Sequence, residues 1–328
     1  MSTFNRFMHL CTPALALCFT LAATHAGAQA TFPSKPVRLI VPATAGSAAD
    51  LVARMLGERL TKPGAQPWVI ENRPGAGGTI GADAVAKAVP DGHTLLFTAN
   101  NFIIAPRLYP SIPYDIRRDF TPIGPVAVGH DMIFVNPSLG VKSLKELVAL
   151  AKRTPGGLNY GAPFYGSSAH LIMESFARAN GIELTFIAAS GGPQSFGEAV
   201  AGRVPLVIGT ASLGVGFVKA GRLTALTAVG FKRSSFLPEV PTLKEDGYPA
   251  QNLPLWFGLY GPARMPAAAT AYLGRELAQV LGSAEFSEAL VSRGFSPLPG
   301  TPADLEALMR DGEPVFAKAI TDAGIKPQ

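Results

Sequence analysis

The chain has 328 residues, too long for one small core and comfortable for two domains of about 150 residues each. Apolar residues make up 48% and charged residues 16%, which argues against intrinsic disorder. The 35 Gly and 29 Pro show no collagen period and point to many short turns. The net charge of +5 comes without a Lys/Arg block, so nothing marks a nucleic-acid-binding face.

Residues 1–30 read as a leader. Arg6 gives a short positive start, Leu10 to Ala23 is apolar, and Ala26-Gly-Ala28 and Ala28-Gln-Ala30 offer small residues to signal peptidase. Cleavage is expected near Ala28 or Ala30. The apolar stretch is shorter than the roughly 20 residues that cross a bilayer. Both cysteines, Cys11 and Cys18, lie inside it, and Leu17 before Cys18 is too large for a lipoprotein signal. A mature chain starting near Thr31 has no disulfide, thiolate metal ligand or cysteine nucleophile. The expected compartment is a bacterial periplasm.

The rest alternates short β-rich runs with helical stretches, the pattern of α/β units with parallel strands. In chain order these are a strand at Val37–Val41, a helix at Ala48–Leu60, a strand at Trp68–Ile70, a helix at Thr79–Val89 and a strand at Thr94–Thr98. Asn100–Gly124 is Pro-rich and reads as loop. Then come a strand at Ile133–Val135, a helix at Leu144–Lys152, a strand at Leu158–Tyr160 and a helix at Ser167–Ala179. Leu184–Ile187, Gln194–Ala201, Val204–Ile208 and Leu223–Val229 continue the alternation. Phe236–Pro254 is again irregular, followed by a strand at Trp256–Tyr260 and helices over about 269–281, 284–292 and 302–321. Two Pro-rich regions thus bracket a central block, as expected of a chain that leaves one lobe, builds a second and returns. The expected division is a leader at 1–30, a first lobe from 31–128 and 253–328, and a second lobe at 129–252. Such a double-crossing hinge suits a cleft that closes on a ligand.

Two strand-to-helix junctions stand out, because helix N-termini there present unpaired N–H groups. The first, Val41-Pro-Ala-Thr-Ala-Gly-Ser-Ala-Ala-Asp50, has small side chains, with hydroxyls from Thr44 and Ser47. The second, Tyr160-Gly-Ala-Pro-Phe-Tyr-Gly-Ser-Ser-Ala-His170, places Gly166, Ser167 and Ser168 at a helix start and adds the rings of Phe164 and Tyr165. A carboxylate at either would meet several N–H donors and a positive dipole end, with no Arg or Lys required. Each junction alone also reads as a capped turn, with the rings packed on a neighbouring helix.

Scans for chemistry return little. Gly166-Ser-Ser-Ala-His170 approaches a nucleophile elbow but has His170 at the final glycine position. Gly75-Ala-Gly-Gly-Thr-Ile-Gly81 has the wrong spacing for a dinucleotide fingerprint. There is no Walker motif and no metal-ligand spacing of histidines. No catalytic residue, metal or cofactor is expected.

Taken together and in order, Phe32-Pro-Ser-Lys-Pro-Val-Arg-Leu-Ile-Val-Pro42, Glu71-Asn-Arg-Pro-Gly-Ala-Gly-Gly78, Pro90-Asp-Gly92, Leu108-Tyr109, Pro113-Tyr-Asp115, Asp119-Phe120, Pro241-Thr242 and Gly247-Tyr248-Pro249 resemble the Bug family. These are extracytoplasmic solute receptors of tripartite tricarboxylate transporters, and the resemblance runs from about residue 32 to the C-terminus. It implies a two-lobed periplasmic-binding-protein fold, type II-like, of the Venus flytrap kind. It also implies a small organic acid held between the lobes by backbone amides, hydroxyls and waters. Carried onto this sequence, the ligand-binding positions are Ala43, Thr44, Ala45, Gly46 and Ser47, then Thr98 and Asn100. In the second lobe they are Ala162, Phe164, Tyr165, Gly166, Ser167 and Ser168, with Ser190, Gly191, Gly209 and Thr210.

The sequence departs from the family pattern at Ala45-Gly46-Ser47, at Ala189-Ser190-Gly191, where a cation is lost, and at Ile208-Gly209, where an acid is lost. Small residues in place of charged ones, with Phe164 and Tyr165 added, imply a roomier, more apolar pocket for an aromatic or longer-chain carboxylate. The expected function is a monomeric, non-enzymatic receptor that captures a small organic carboxylate, aromatic or dicarboxylate, and delivers it to membrane permease subunits. The alternatives are a secreted serine hydrolase using Ser167 or Ser168 and a sensing module for a membrane kinase.

Overall fold

The computed structural model describes residues 32–230, 232–249 and 253–328. The leader, with Cys11, Cys18, Ala28 and Ala30, lies outside the described residues.

The apolar run Val37–Val41 forms strand β1, buried at four of its five positions. It pairs in parallel with β2 (Trp68–Asn72) and β3 (Thr94–Ala99). Between β1 and β2, helix α1 (Ala48–Leu60) turns Val52, Ala53, Leu56 and Leu60 inward, and the Ser47 hydroxyl caps it by accepting from the Asp50 N–H. Helix α2 (Thr79–Ala86) covers the other face. The stretch read as loop contains helix α3 (Asn101–Leu108) and strand β4 (Phe120–Gly129). Pro106 sits near the end of α3, where its missing N–H costs a single bond of the last turn. In β4, Pro122 and Pro125 lie beside register shifts against β10 (Leu255–Pro262), where the ladder is already interrupted.

The second sheet starts at β5 (Asp131–Val135), so His130 alone separates β4 from β5. There follow α4 (Leu144–Arg153), β6 (Leu158–Gly161), α5 (Ser168–Asn180), β7 (Leu184–Ile187), α6 (Gly192–Val200), β8 (Leu206–Thr210), α7 (Ala211–Lys219) and β9 (Thr224–Ala228). The sequence pattern gives no helix at α7, whose two glycines lower its intrinsic propensity; packing on β5, β8 and β9 forms it nonetheless. After β9 the chain makes an isolated bridge, Ala228 to Thr242, and returns through β10. It ends with α8 (Ala267–Leu281), α9 (Ala284–Ser292), β11 (Phe295–Pro297) and the long α10 (Pro302–Ala323).

The first sheet has the order β11-β4-β10-β3-β1-β2 and the second β7-β6-β8-β5-β9. Both are mixed rather than purely parallel, because β10, β4 and β5, which adjoin the two crossings, run antiparallel to their neighbours. Leu39, Phe97, Phe257 and Leu277 fill one side of the first sheet, and Phe134, Phe196 and Val207 one side of the second. A third cluster is shared by both sheets, running from Ile40 and Leu96 through Trp256 to Ile133 and Ile208. Helix α10 packs on β4, α3 and α5, and so touches both halves.

Candidate functional site

A cavity of about 680 Å3, counted out to its open mouth, lies where the two sheets face each other. Its walls come from Pro42 and Ala43 just after β1, from the C-terminal ends of β3 and β8, from Asp131 of β5 and Leu255 and Phe257 of β10, and from helix starts: Ala48 and Ala49 of α1, Asn101 of α3, Ser168 and Ala169 of α5, Gly192 of α6 and Thr210 before α7. Helices α1 and α5 are each capped by a serine. Ser47 takes the Asp50 N–H, and Ser167 takes the His170 N–H at 3.2 Å. The main-chain N–H groups of Ala48, Ala49, Ser168 and Ala169 are left without a partner among the described residues. Such groups carry the positive end of the helix dipole. Among the described lining side chains there is no Lys, Arg or His, and Asp131 is the one ionisable group.

The wall before α1 is braced from behind. Asp50, 2% exposed, accepts from the Gly46 N–H at 2.8 Å, from Asn72 Nδ2 at 2.9 Å and from Arg54 Nε at 3.0 Å. Asn72 also donates to the Ala43 carbonyl at 3.1 Å. Burial pushes the Asp50 carboxyl upward, but the bonds from Arg54, Gly46 and Asn72 outweigh it and hold the group below its ordinary range. The wall before α5 is braced by His170, whose Nδ1 accepts from the Gly166 N–H at 2.9 Å. Burial lowers this imidazole to about 4, so it is neutral at physiological pH. Gly166 is left-handed at φ +77° and lies against Leu108 of α3, where a side chain would collide.

The structure brings Ala43, Ser47, Thr98, Asn100, Phe164, Ser167, Ser168 and Thr210 together on the cavity wall. The other expected positions do not line it. The N–H groups of Gly46 and Gly166 are engaged by Asp50 and His170 rather than facing a ligand. Tyr165 turns outward, its hydroxyl donating to the Lys326 carbonyl and its ring lying beside His170 and Phe186. Ser190 is folded onto Gln194 through both its N–H and its hydroxyl. Ala162 is buried, and its carbonyl accepts from Ser195. A side chain on Gly209 would meet Phe196, away from the cavity. Thr44 and Ala45 are also off the wall. Gly191 meets Thr44 across the cleft, where a Cβ would collide with the Thr44 hydroxyl, and Gly46 lies beside Pro193. These contacts close one flank of the cleft.

Sequence reasoning missed several wall residues: the apolar Leu213, Leu255 and Phe257, the amide Asn101, and Asp131. Asn101 is held by its donation to the Gly77 carbonyl at 2.7 Å. Asp131 left one signal in the sequence, an acid opening a strand in which every residue is buried. Ser167 and His170 are not paired as nucleophile and base: the Ser167 hydroxyl accepts from the helix backbone, and the His170 Nδ1 lone pair is occupied by the Gly166 N–H.

A model of the tripartite tricarboxylate transporter family receptor matches residues 52–324. The chain belongs to that family. Protein BugT of Bordetella pertussis is 32% identical over 298 residues, covering 90% of this chain and 91% of BugT. Among solved structures, Rpa4515 of R. palustris with adipate has a TM-score of 0.87 at 32% identity, over 90% of this chain and 100% of that one. The periplasmic binding protein BugD gives 0.85 at 29%, over 90% and 100%. MatC of Rhodopseudomonas palustris with bound malate gives 0.81 at 26%, over 88% and 100%. This tripartite tricarboxylate transporter receptor therefore has the two-lobed fold of periplasmic solute-binding proteins, with its cavity between the lobes. Family members are solute-binding receptors of the periplasm.

Proposed function

We propose that this receptor captures a small organic carboxylate, aromatic or dicarboxylate, in the cavity between the sheets and delivers it to the membrane permease subunits of a tripartite transporter without chemical change. The observation that carries the reading is that the starts of α1 and α5, whose first N–H groups are unpartnered, line one cavity whose described walls hold no cationic side chain. Each charge-assisted hydrogen bond contributes roughly 1.5–3 kcal/mol, so a few of them, with burial against Phe164, Leu213 and Phe257, supply the roughly 8 kcal/mol of micromolar affinity after ordering costs. Relatives found with adipate and with malate support an acid as ligand.

In this reading, Ala43, Ser47, Thr98, Asn100, Phe164, Ser167, Ser168 and Thr210 contact the ligand directly. Thr44, Gly46, Gly166 and Gly191 shape the walls and the closed flank. Residues 31–128 and 253–328 form one lobe and 129–252 the other, hinged at His130 and in the return to β10. The chain acts as a monomer after removal of residues 1–30. Titration calorimetry of the mature protein against aliphatic and aromatic mono- and dicarboxylates tests the reading. Saturable binding of at least one acid is expected, and no binding across the panel would overturn it.

A further inference from the structure

Three separate segments meet at Leu108, the last residue of α3. Its side chain lies against Gly166 of the loop before α5, where a Cβ would collide with it. Its carbonyl, of the kind a helix end leaves without a helical partner, accepts from the Gln328 N–H at 2.8 Å. Gln328 belongs to the tail that follows α10. Gly324, left-handed at φ +63°, ends that helix, and a Cβ on it would strike the Arg178 guanidinium of α5. Beyond this turn Ile325 packs on the core cluster shared by both sheets. The Lys326 carbonyl then accepts from the Tyr165 hydroxyl at 2.9 Å. The tail is thus fastened at Gln328 to α3 and at Lys326 to the loop before α5.

Resting on the reading that α3 and α5 belong to two lobes that close on an acid, we propose that residues 325–328 are a strap across the cleft. Tyr165 is the positioning residue that the strap holds. Its ring stays with its own lobe, beside His170 and Phe186, and only the hydroxyl reaches across. Gly166 alone separates Tyr165 from Ser167, the cap of α5, so the strap also steadies the helix start that lines the cavity. A contact made only when the lobes meet adds its free energy to the closed form and not to the open one. The strap therefore slows reopening, and so raises affinity without touching the ligand.

Tyr165→Phe keeps the ring and removes only this bond. Calorimetry and stopped-flow kinetics on the mature protein, with the acids of the calorimetric panel as probes (adipate, malate and benzoate among them), test the strap. For each acid that the wild type binds, affinity should fall about threefold or more. The loss should lie in faster dissociation at an unchanged association rate, with the unliganded melting temperature near wild type. Deleting Lys326–Gln328 should weaken binding at least as much. Tyr165→Phe in the shortened chain should then add nothing, because the hydroxyl has already lost its acceptor. Unchanged affinity and dissociation rate in Tyr165→Phe would overturn the strap and leave the carboxylate reading standing. So would losses that add in the double variant. Binding of no panel acid by the wild type would overturn both. The rates for Tyr165→Phe decide by themselves should the shortened chain fold poorly.

Discussion

The Gly166 N–H donates to His170 Nδ1 over 2.9 Å, one helical turn away. That bond makes a buried, neutral imidazole the brace of the loop that ends in the α5 donors. It also uses the lone pair that would serve a general base. His170→Ala leaves the Gly166 N–H unpaired and opens a void beneath Phe186 and Tyr160, neighbours of the ring. Chemical denaturation should show a loss of about 2–4 kcal/mol, and affinity for the acid should fall with it. Full stability in this variant would contradict the bracing role.

Gly191 has extended backbone, so valine fits its local conformation, yet any Cβ there strikes Thr44 on the facing lobe. Gly191→Val should therefore weaken ligand binding about tenfold or more while the unliganded melting temperature stays near wild type, because the clash exists only across the closed cleft. Calorimetry paired with thermal unfolding reads both. Unchanged affinity would mean that this flank does not close on the ligand.

The buried carboxyl of Asp50 ties Gly46, Asn72 and Arg54 into one knot. Asp50→Ala removes the partner of three donors, two of them at least partly shielded from water. A stability loss of roughly 2–3 kcal/mol is expected by denaturant titration, with weaker binding because the loop Ala43–Ser47 is no longer fixed. Loss of stability alone, with affinity intact, would separate the knot from the site.

Asp131 and His170 give opposite pH dependences. Burial raises the Asp131 carboxyl to about 7, so the folded state holds that proton more tightly than the unfolded chain. Its contribution is most favourable below the unfolded value of about 4 and is lost as pH rises through about 7. Burial lowers His170 to about 4; its contribution is complete above the unfolded value of about 6.5 and is lost as pH falls toward about 4. The difference in melting temperature between Asp131→Asn and wild type should thus grow in favour of the variant from about pH 5 to about pH 8. A difference that does not change with pH would place the carboxyl in water.

Much of this architecture is legible in the sequence where periodicity and capping agree. Val37–Val41, Ala48–Leu60 and Leu184–Ile187 have the bounds their patterns give, and Ser47 and Ser167 cap as small hydroxyl residues before helices do. Pro106, Pro122 and Pro125 hid α3 and β4, because a proline tolerated at a helix end or a bulge looks the same in sequence as one in a loop. The site was legible as two loops but not atom by atom. Which N–H faces the cavity depends on contacts from His170 and Asp50, and Tyr165 turns outward because its hydroxyl finds Lys326 far along the chain. Asp131, Leu255 and Phe257 reach the wall only through sheet pairing across the two crossings, which no local pattern encodes.

The most direct measurement is a crystal structure of the mature protein with its acid bound. The carboxylate oxygens are expected within hydrogen-bonding distance of the main-chain nitrogens of Ala48 or Ala49 on one side and of Ser168 or Ala169 on the other. An acid seated outside this cavity, or held within it chiefly by an arginine or lysine side chain, would contradict the account.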